Sequence, residues 1–369
     1  ILYDNTIGTT PVSGSGTRMM WIPEKGAFRA GTISFTGWDD VNIGYNSTAM
    51  GYGTIASGHY STAIGRGGLA SGDYSTAMGQ GSVASGDYST AMGNGTTASG
   101  DYSTAMGWGS AASGNNSTAT GFWNKSKSYG GFVIGHYNDT AIAADPLNIN
   151  SLNRIFQIGN GTADNARSNA VTVLQNGNAG IGTTTPQSLL HVKRGAVLFD
   201  STIGSTPVSG AGTRMMWIPA KAAFRGGRVD GNYWDEASIG WGSFAFGHNS
   251  KASDSLTTTF GDGALASGPV ATAMGFYTIA SGEVSTAMGS YTVASGPVST
   301  AMGVGTIASG NLSTAMGYGT TSKSYAGFVT GILNDSTNAA SSTTIHPLNR
   351  IFQIGNGTDG YTRRNAVTV

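Results

Sequence analysis

The sequence predicts an all-β fold in which parallel β-solenoid segments, built from coils of 14 residues, alternate with small β connector modules. Three observations lead to this prediction. A 14-residue repeat begins at Gly72 and recurs at Gly86 and Gly100, and a longer repeat of 196 residues contains it. Glycine supplies 59 of the 369 residues and proline only 9, and glycine does not recur at every third position, which excludes a collagen triple helix.

The composition excludes several classes of protein. Only 10% of the residues are charged, and the 19 basic residues balance the 19 acidic ones, so we expect no nucleic-acid partner. The absence of cysteine excludes disulfides, thiolate metal sites and cysteine nucleophiles. Apolar runs fall well short of about 20 residues, so no membrane insertion is expected within this sequence. Hydrophobic residues make up 39%, which argues against disorder.

The 196-residue repeat sets the predicted domain boundaries. Thr17–Pro23 returns as Thr213–Pro219, and Asn153–Gly159 returns as Asn349–Gly355. Because the sequence begins at Ile1 without an initiator methionine, we expect it to be part of a longer protein with further units. The predicted domains are a β-rich capping module (1–43), a first stack of coils or roll (44–135), a connector (136–196), a second capping module (197–239), a second roll (240–331) and a connector (332–369).

The two faces of a coil differ in side-chain size. Alternate residues of a strand face opposite sides, so Ser75, Ala77 and Gly79 share one face while Thr76 and Met78 share the other. A coil of 14 residues encloses little volume, so we expect the Ser, Ala and Gly face to point inward. Stacked coils then place like residues in columns about 4.8 Å apart.

The outward columns are expected to form a continuous apolar stripe. Such a stripe is too large for a soluble monomer and predicts that a second copy of the chain covers it in a cyclic homo-oligomer. The predicted interface residues are Met50, Ile64, Met78, Met92, Met106, Ile55, Leu69 and Val83 in the first roll and Met274, Met288, Met302, Met316, Ile279, Val293 and Ile307 in the second.

The repeats resemble a known family. The Ser-Thr-Ala-Met-Gly step at Ser75–Gly79 and the Ser-Val-Ala-Ser-Gly step at Ser82–Gly86 resemble the head repeats of trimeric autotransporter adhesins, over about Gly44–Gly121 and Gly240–Gly317. The resemblance implies a left-handed parallel β-roll, a trimer by default with higher cyclic orders possible, and display on a cell or virion surface. The sequence departs from the family in placing Thr and Met where head repeats favour Val and Ile.

The segments between the rolls resemble modules of bacterial and phage tail-fibre-like proteins, which are common in surface proteins of gliding, type IX-secreting bacteria. The resemblance is carried by Arg18–Pro23, by Ile158–Gly161 and by Gly180–Pro186.

These patterns indicate a structural, adhesive, extracellular fibre rather than an enzyme. The alternatives are a tail fibre of a phage or contractile injection system and, because Thr48, Thr62, Thr76 and Thr90 recur in one column, an ice-binding solenoid. The sequence identifies no receptor. Recognition is expected in the loops that interrupt the rolls, since loops tolerate variation.

Residues with reactive or metal-binding side chains form no recognisable site. None of the five histidines has a second His at i+2 or i+4, so all five are expected to be exposed turn residues, with no metal site and no cofactor. The column of Asp73, Asp87 and Asp101 admits structural calcium as an alternative. A carboxylate that accepts hydrogen bonds from nearby backbone N–H groups at a coil corner explains the column without metal.

Aromatic residues are the candidate surface contacts. Tyr74, Tyr88 and Tyr102 share a column at one corner, and Trp108 and Trp123 follow them. Exposed aromatic rings can stack on sugars or anchor a protein partner, and the alternative is packing at the roll edge or between subunits. The blocks before each roll contain Arg18, Trp21 and Arg29, repeated as Arg214, Trp217 and Arg225, and are expected to cover the open end of the roll.

Overall fold

A computed structural model describes residues 10, 12–141, 145–193, 197–198, 204–337 and 339–369. The chain divides into two compact units, Ile1–Val197 and Leu198–Val369. Part of the predicted capping module 1–43, its first nine residues and residue 11, lies outside the described residues.

Each unit contains the predicted all-β parallel solenoid of 14-residue coils. A coil has one five-residue strand and one two-residue strand, as in Thr76–Gln80 followed by Val83–Ala84. Consecutive coils pair in parallel and in register, so that Thr76–Gln80 lies beside Thr90–Asn94 residue for residue. The long strands form one wall of the roll and the short strands form the other.

The first unit begins with an antiparallel hairpin, continues with the roll and ends in a small sheet. The hairpin strands are Gly16–Ile22 and Ala27–Ile33; the long strands are Thr48–Tyr52, Thr62–Arg66, Thr76–Gln80, Thr90–Asn94, Thr104–Trp108, Thr118–Phe122 and Phe132–His136; the short strands are Ile55–Ala56, Leu69–Ala70, Val83–Ala84, Thr97–Ala98, Ala111–Ala112 and Lys125–Ser126; the last strands are Arg154–Asn160, Asn169–Leu174, Ala179–Ile181 and Leu190–Val192. Short 3-10 helices lie at Pro23–Lys25 and Asp40–Asn42.

The second unit repeats this order. Its hairpin strands are Gly212–Ile218 and Ala223–Val229; the long strands are Phe244–His248, Thr258–Asp262, Thr272–Phe276, Thr286–Ser290, Thr300–Val304, Thr314–Tyr318 and Phe328–Ile332; the short strands are Lys251–Ala252, Leu265–Ala266, Ile279–Ala280, Val293–Ala294, Ile307–Ala308 and Thr321–Ser322; the last strands are Phe352–Asn356 and Asn365–Thr368. Its 3-10 helices are Pro219–Lys221 and Glu236–Ser238.

The core of each roll is a stack of small side chains. Ala77 on the long strand and Ala84 on the short strand are fully buried, and both belong to one cluster of alanines between the two walls. Ser75 and Ser82 are buried beside them. The prediction that the small face points inward is therefore confirmed for Ser75 and Ala77, whereas Gly79, which was assigned to the same face, is exposed.

The close approach of the next coil favours glycine at two positions of a coil. Gly79 has a φ of 110°, and a Cβ on this residue would lie 2.1 Å from the carbonyl oxygen of Gly93. A Cβ on Gly72 would lie 2.1 Å from the carbonyl oxygen of Gly86. Real Cβ atoms do not approach backbone oxygens this closely, so glycine occupies the Gly79 position in every coil and the Gly72 position in most coils, where the exceptions are Ser128, Asp254 and Ser324.

The start of the first roll is closed by a buried arginine and a buried tryptophan. Arg29 donates hydrogen bonds to the carbonyl oxygens of Ser47 (2.9 Å) and Ala56 (2.8 Å), and its burial lowers its pKa to about 10. The Trp38 indole Nε1 donates to the carbonyl oxygen of Thr54 at 2.7 Å. Trp21, which the sequence suggested as part of this cap, is instead 41% exposed. Arg225 and Trp234 close the second roll in the same way.

A buried polar network closes the far end of the first roll. The strand Arg154–Asn160 pairs in parallel with Phe132–His136 and so continues the long-strand wall. The Gln157 side-chain oxygen accepts hydrogen bonds from the amides of Asn138 (3.2 Å) and Asn169 (2.9 Å). In the second unit the amide of Asn334 donates to Gln353 at 2.7 Å. Because buried amides require partners, this network holds the last sheet on the roll.

Candidate functional site on the outer face of each roll

The methionine column lies on the outer face of the long-strand wall. Met78 pairs in register with Ile64 on one side and with Met92 on the other. Met92 is 37% exposed, although its neighbours in the column cover part of it. The predicted interface residues Met50, Ile64, Met78, Met92 and Met106 are all exposed or half-buried in the single chain.

The aliphatic column lies on the other wall. Ile55, Leu69 and Val83 occupy successive short strands in register and are half-buried. Because the alanines of both walls face one core, the outer faces of the walls point away from that core in different directions. The structure thus places the predicted residues in two separate apolar columns rather than in one continuous stripe.

The second roll has the same two columns. Met274, Met288, Met302 and Met316 are in register on its long strands, while Ile279, Val293 and Ile307 are in register on its short strands. Phe246 and Phe260 begin the methionine column with rings stacked at 5.6 Å. These columns are likewise exposed or half-buried.

The tyrosine column of the first roll is a stack of parallel rings. Tyr60, Tyr74, Tyr88 and Tyr102 lie with ring centroids 4.7 to 4.9 Å apart and interplanar angles of 2 to 5°. Each inner ring therefore has both faces covered by its neighbours, and only ring edges and hydroxyls reach solvent. Partial desolvation, together with the adjacent Tyr74 and Tyr102 phenols, raises the pKa of Tyr88. Sugar stacking on the inner rings is excluded by this geometry, whereas edge packing agrees with it.

The same corner of the second roll carries aliphatic residues in an uncommon backbone conformation. Val270, Val284 and Val298 have φ values of 54 to 59°, close to the 56 to 58° of the tyrosines. Bulky and β-branched residues disfavour the left-handed region, so the coil geometry dictates this conformation whichever side chain is present. The exchange of Tyr for Val shows that this corner accepts both an aromatic and a β-branched side chain in the same backbone conformation.

The aspartate column is a hydrogen-bonded ladder. The amide N–H of each residue at this corner donates to the side-chain oxygen of its counterpart one coil later: Asp73 to Asp87 at 2.9 Å, Asp87 to Asp101 at 3.1 Å and Asp101 to Asn115 at 3.0 Å. This is the backbone role expected from the sequence. Within the described ranges, no group of three or more His, Asp or Glu side chains is arranged to hold a metal ion.

The two candidate tryptophans lie near the end of the first roll. Trp108 is 55% exposed, and its ring meets that of Phe122 edge to face, with centroids 5.4 Å apart. Trp123 has a φ of 53° where preceding coils have Gly109 or Gly95, and its ring packs over Gly109. Arg167 donates to the carbonyl oxygen of Trp123 at 2.9 Å and lies 5.5 Å from the ring centre of Tyr137. Trp108 therefore belongs to an edge-to-face series of rings that continues through Phe122 to Tyr137, whereas the Trp123 ring packs on the backbone at Gly109.

The expectation that all histidines are exposed turn residues is wrong for three of them. His136, His191 and His248 lie in strands, whereas His59 and His346 are exposed outside them. The amide of Tyr45 donates to the ring of His59 at 3.1 Å.

His248 lies between two carboxylates that the sequence analysis did not connect with it. Its Nε2 is 2.7 Å from Asp230 and its Nδ1 is 2.8 Å from Asp262. Hydrogen bonds to these two carboxylates raise the pKa of His248. The partners were missed because Asp230 belongs to the segment before the roll and Asp262 to the following coil. The buried Trp38 was also missed, because its recurrence as Trp234 is matched by the recurrence of the exposed Trp21 as Trp217.

Comparison with known proteins supports the interpretation of the rolls. Five segments match the YadA head domain repeat: residues 43–67, 70–96, 98–122, 266–292 and 294–320. The chain thus carries, on a β-solenoid, the head repeat that is the motif of trimeric autotransporter adhesins. No curated protein matches the chain. In the part of the chain that the structure describes, no helix has the length and apolar character needed to cross a membrane.

Proposed function

We propose that this chain is a structural and adhesive segment of an extracellular surface fibre, in which the rolls of several copies pack side by side in a cyclic homo-oligomer. The head repeats in both rolls support a non-enzymatic role of this kind. The order we propose is a trimer, as the repeat family suggests.

The observation that carries this proposal is the presence of two different apolar columns on the two walls of one roll. In a cyclic oligomer with more than two subunits, each subunit uses two distinct patches, because the contact is head to tail. The methionine column of one copy would pack on the column of Ile55, Leu69 and Val83 of the next copy. A two-fold dimer would cover only one column and leave the other in solvent.

The regular spacing of both columns supports a parallel arrangement of the copies. Successive coils are about 4.8 Å apart in each column, so a side chain of one copy can fit between two side chains of its neighbour along the whole roll. Displaying several copies together would also let weak individual contacts sum to firm attachment.

Size-exclusion chromatography with light scattering on the 369-residue chain tests the assembly. The expected mass is three times the chain mass of 37.5 kDa. A soluble chain that stays monomeric at micromolar concentration would contradict the proposal, because both apolar columns would then be stable in water.

A further inference from the structure

We propose that the last residue of each long strand in the first roll forms a binding row for an extended, β-linked glycan. This inference rests on the proposed adhesive function and names the surface and ligand class that would serve it. The row, called here the variable column, consists of Tyr52, Arg66, Gln80, Asn94, Trp108, Phe122 and His136. Each member is paired in register with the next, from Tyr52 beside Arg66 to Phe122 beside His136.

The variable column contrasts with the glycine column that precedes it. No residue type occurs twice in it, whereas the residue immediately before it is glycine in every coil. The second roll shows the same contrast, with His248, Asp262, Phe276, Ser290, Val304, Tyr318 and Ile332 at this position. The constant glycine is thus followed in every coil by an exposed or half-buried position that presents a different side chain at each step of the row.

Exposure explains why the row can vary, but it does not explain the chemistry of its side chains. Five of its fourteen members in the two rolls are aromatic, although aromatic residues make up 9% of the chain. Tyr52, Trp108 and Tyr318 are more than half exposed. Large aromatic side chains exposed in a row are typical of contact surfaces rather than of neutral surface positions.

The variable column lies outside the apolar columns assigned to assembly. It contains Arg66 in the first roll and Asp262 in the second, and charged residues are depleted from the buried centres of subunit interfaces. It also ends the long strand, two residues after the methionine column, at the corner where the chain turns. Packing of the methionine column against another copy would leave this corner at the rim of the interface.

The first roll offers groups that suit sugars. A pyranose ring has an apolar C–H face and a rim of hydroxyls, so it is recognised by an aromatic ring together with amide donors and acceptors. Asn94 supplies an amide directly beside Trp108, and Gln80 supplies a second amide one coil before Asn94. The edge-to-face contact with Phe122 means that these two rings do not cover each other face to face, in contrast to the stacked tyrosines. No carboxylate lies in this row of the first roll, so the row itself presents no negative charge that would repel an acidic sugar.

The geometry favours an extended glycan over a coiled one. The row advances by about 4.8 Å per coil in one direction, so successive side chains can contact successive units only of a polymer that is itself straight. A β-1,4-linked glucan is an extended ribbon, whereas an α-1,4-linked glucan of the same composition is curved.

Calorimetric titration of the 369-residue protein with cellohexaose tests the inference, with maltohexaose as the matched ligand. We expect cellohexaose to bind and maltohexaose to bind at least about tenfold more weakly. Trp108→Ala should weaken cellohexaose binding about tenfold, and Asn94→Ala about fivefold. Tyr102→Ala removes an exposed aromatic ring that belongs to the same coil but lies outside the row. This variant should bind cellohexaose as tightly as the unchanged protein does.

The mass of every sample, measured by light scattering, separates this inference from the proposed assembly. A trimer that binds no cellohexaose, or a Trp108→Ala trimer that binds it unchanged, overturns the inference and leaves the assembly intact. Equal binding of maltohexaose also overturns the inference, because the row would then show no preference for an extended glycan. Reduced, unfolded lysozyme serves as an extended polypeptide probe, and binding of this probe in place of cellohexaose overturns the inference as well. A monomer contradicts the proposed assembly whatever it binds.

Discussion

The side-chain Oδ1 of Asp87 lies 2.9 Å from the backbone amide nitrogen of Asp73, one coil earlier, and accepts its hydrogen bond. Asp101 makes the same contact with the amide of Asp87. The carboxylates therefore complete the backbone hydrogen bonding of the coil corner while standing in a row of like charges. At this corner the hydrogen bonds stabilise the folded state and the repulsion between the carboxylates destabilises it. Substitutions of Asp87 can separate the two effects.

Asp87→Asn should keep the hydrogen bond and remove the repulsion, since an amide oxygen accepts equally well and Asn115 already fills this position in a later coil. We expect its free energy of unfolding to equal or exceed that of the unchanged protein. Asp87→Ala leaves the amide of Asp73 to solvent and should cost about 1 kcal/mol. Denaturant unfolding checks both, and an alanine variant as stable as the asparagine variant would rule out the ladder as a stabilising element.

Gly79→Ala should destabilise the first roll by about 3 kcal/mol, because its Cβ would meet the carbonyl oxygen of Gly93 at a φ that alanine disfavours. Gly81→Ala is the matched control. Gly81 has a φ of 62° but no atom within 4 Å of the added Cβ, so only the conformational cost of about 1 kcal/mol applies. Thermal unfolding of the two variants should rank them in this order, and equal losses would contradict the close-approach argument.

Met92→Glu should dissociate the oligomer, because it places a carboxylate in the middle of the methionine column. Asn94→Glu introduces the same charge on the same strand at the rim and should leave the assembly unchanged. Light scattering after gel filtration distinguishes the mass of the single chain from the mass of the oligomer. If Met92→Glu keeps the mass of the unchanged protein, the methionine column does not form the interface.

Arg29→Met should loosen the start of the first roll while sparing the second. The change removes donors to the buried carbonyl oxygens of Ser47 and Ala56, a loss of about 3 kcal/mol. Hydrogen exchange should quicken in Thr48–Tyr52 and stay unchanged in Phe244–His248. Arg225→Met should give the mirrored result, so the two units serve as controls for each other.

The start of the second roll should lose stability as pH rises through the pKa of His248. Hydrogen bonds to Asp230 and Asp262 raise this pKa above 6.5, so the charged imidazole stabilises the folded state below that value, and the contribution disappears at higher pH. Hydrogen exchange of Phe244–His248 at about pH 5 and about pH 9, corrected for intrinsic rates, measures the effect. His248→Tyr, which copies Tyr52 of the first roll, should abolish the pH dependence. A dependence that persists in this variant would assign it to another group.

The repeats made the roll predictable because each coil position has one dominant environment. Serine and alanine at every second residue identified the inward face. The two walls were harder to separate, since a linear period does not state that Met78 and Val83 face different directions. Only the pairing of strands into two sheets shows it.

The ends of the rolls were predictable in outline only. Arg29 was expected in the cap because its block precedes the roll, but no pattern distinguished Trp38, which is buried, from Trp21, which is not. Burial there depends on how one loop folds over the first coil. The pair Asp230 and His248 was hidden for the same reason, because residues that meet through a non-repeating segment leave no periodic signal.

Strict parallel register also makes each coil an exchangeable unit. A coil inside a roll bonds only to the coil before it and the coil after it. Removing residues 72–85 would join Ser71 to Gly86, the same Ser-Gly junction found at Ser85 and Gly86. The roll can therefore be shortened or lengthened by whole coils in a single genetic event, with the ends, the caps and the remaining columns unchanged.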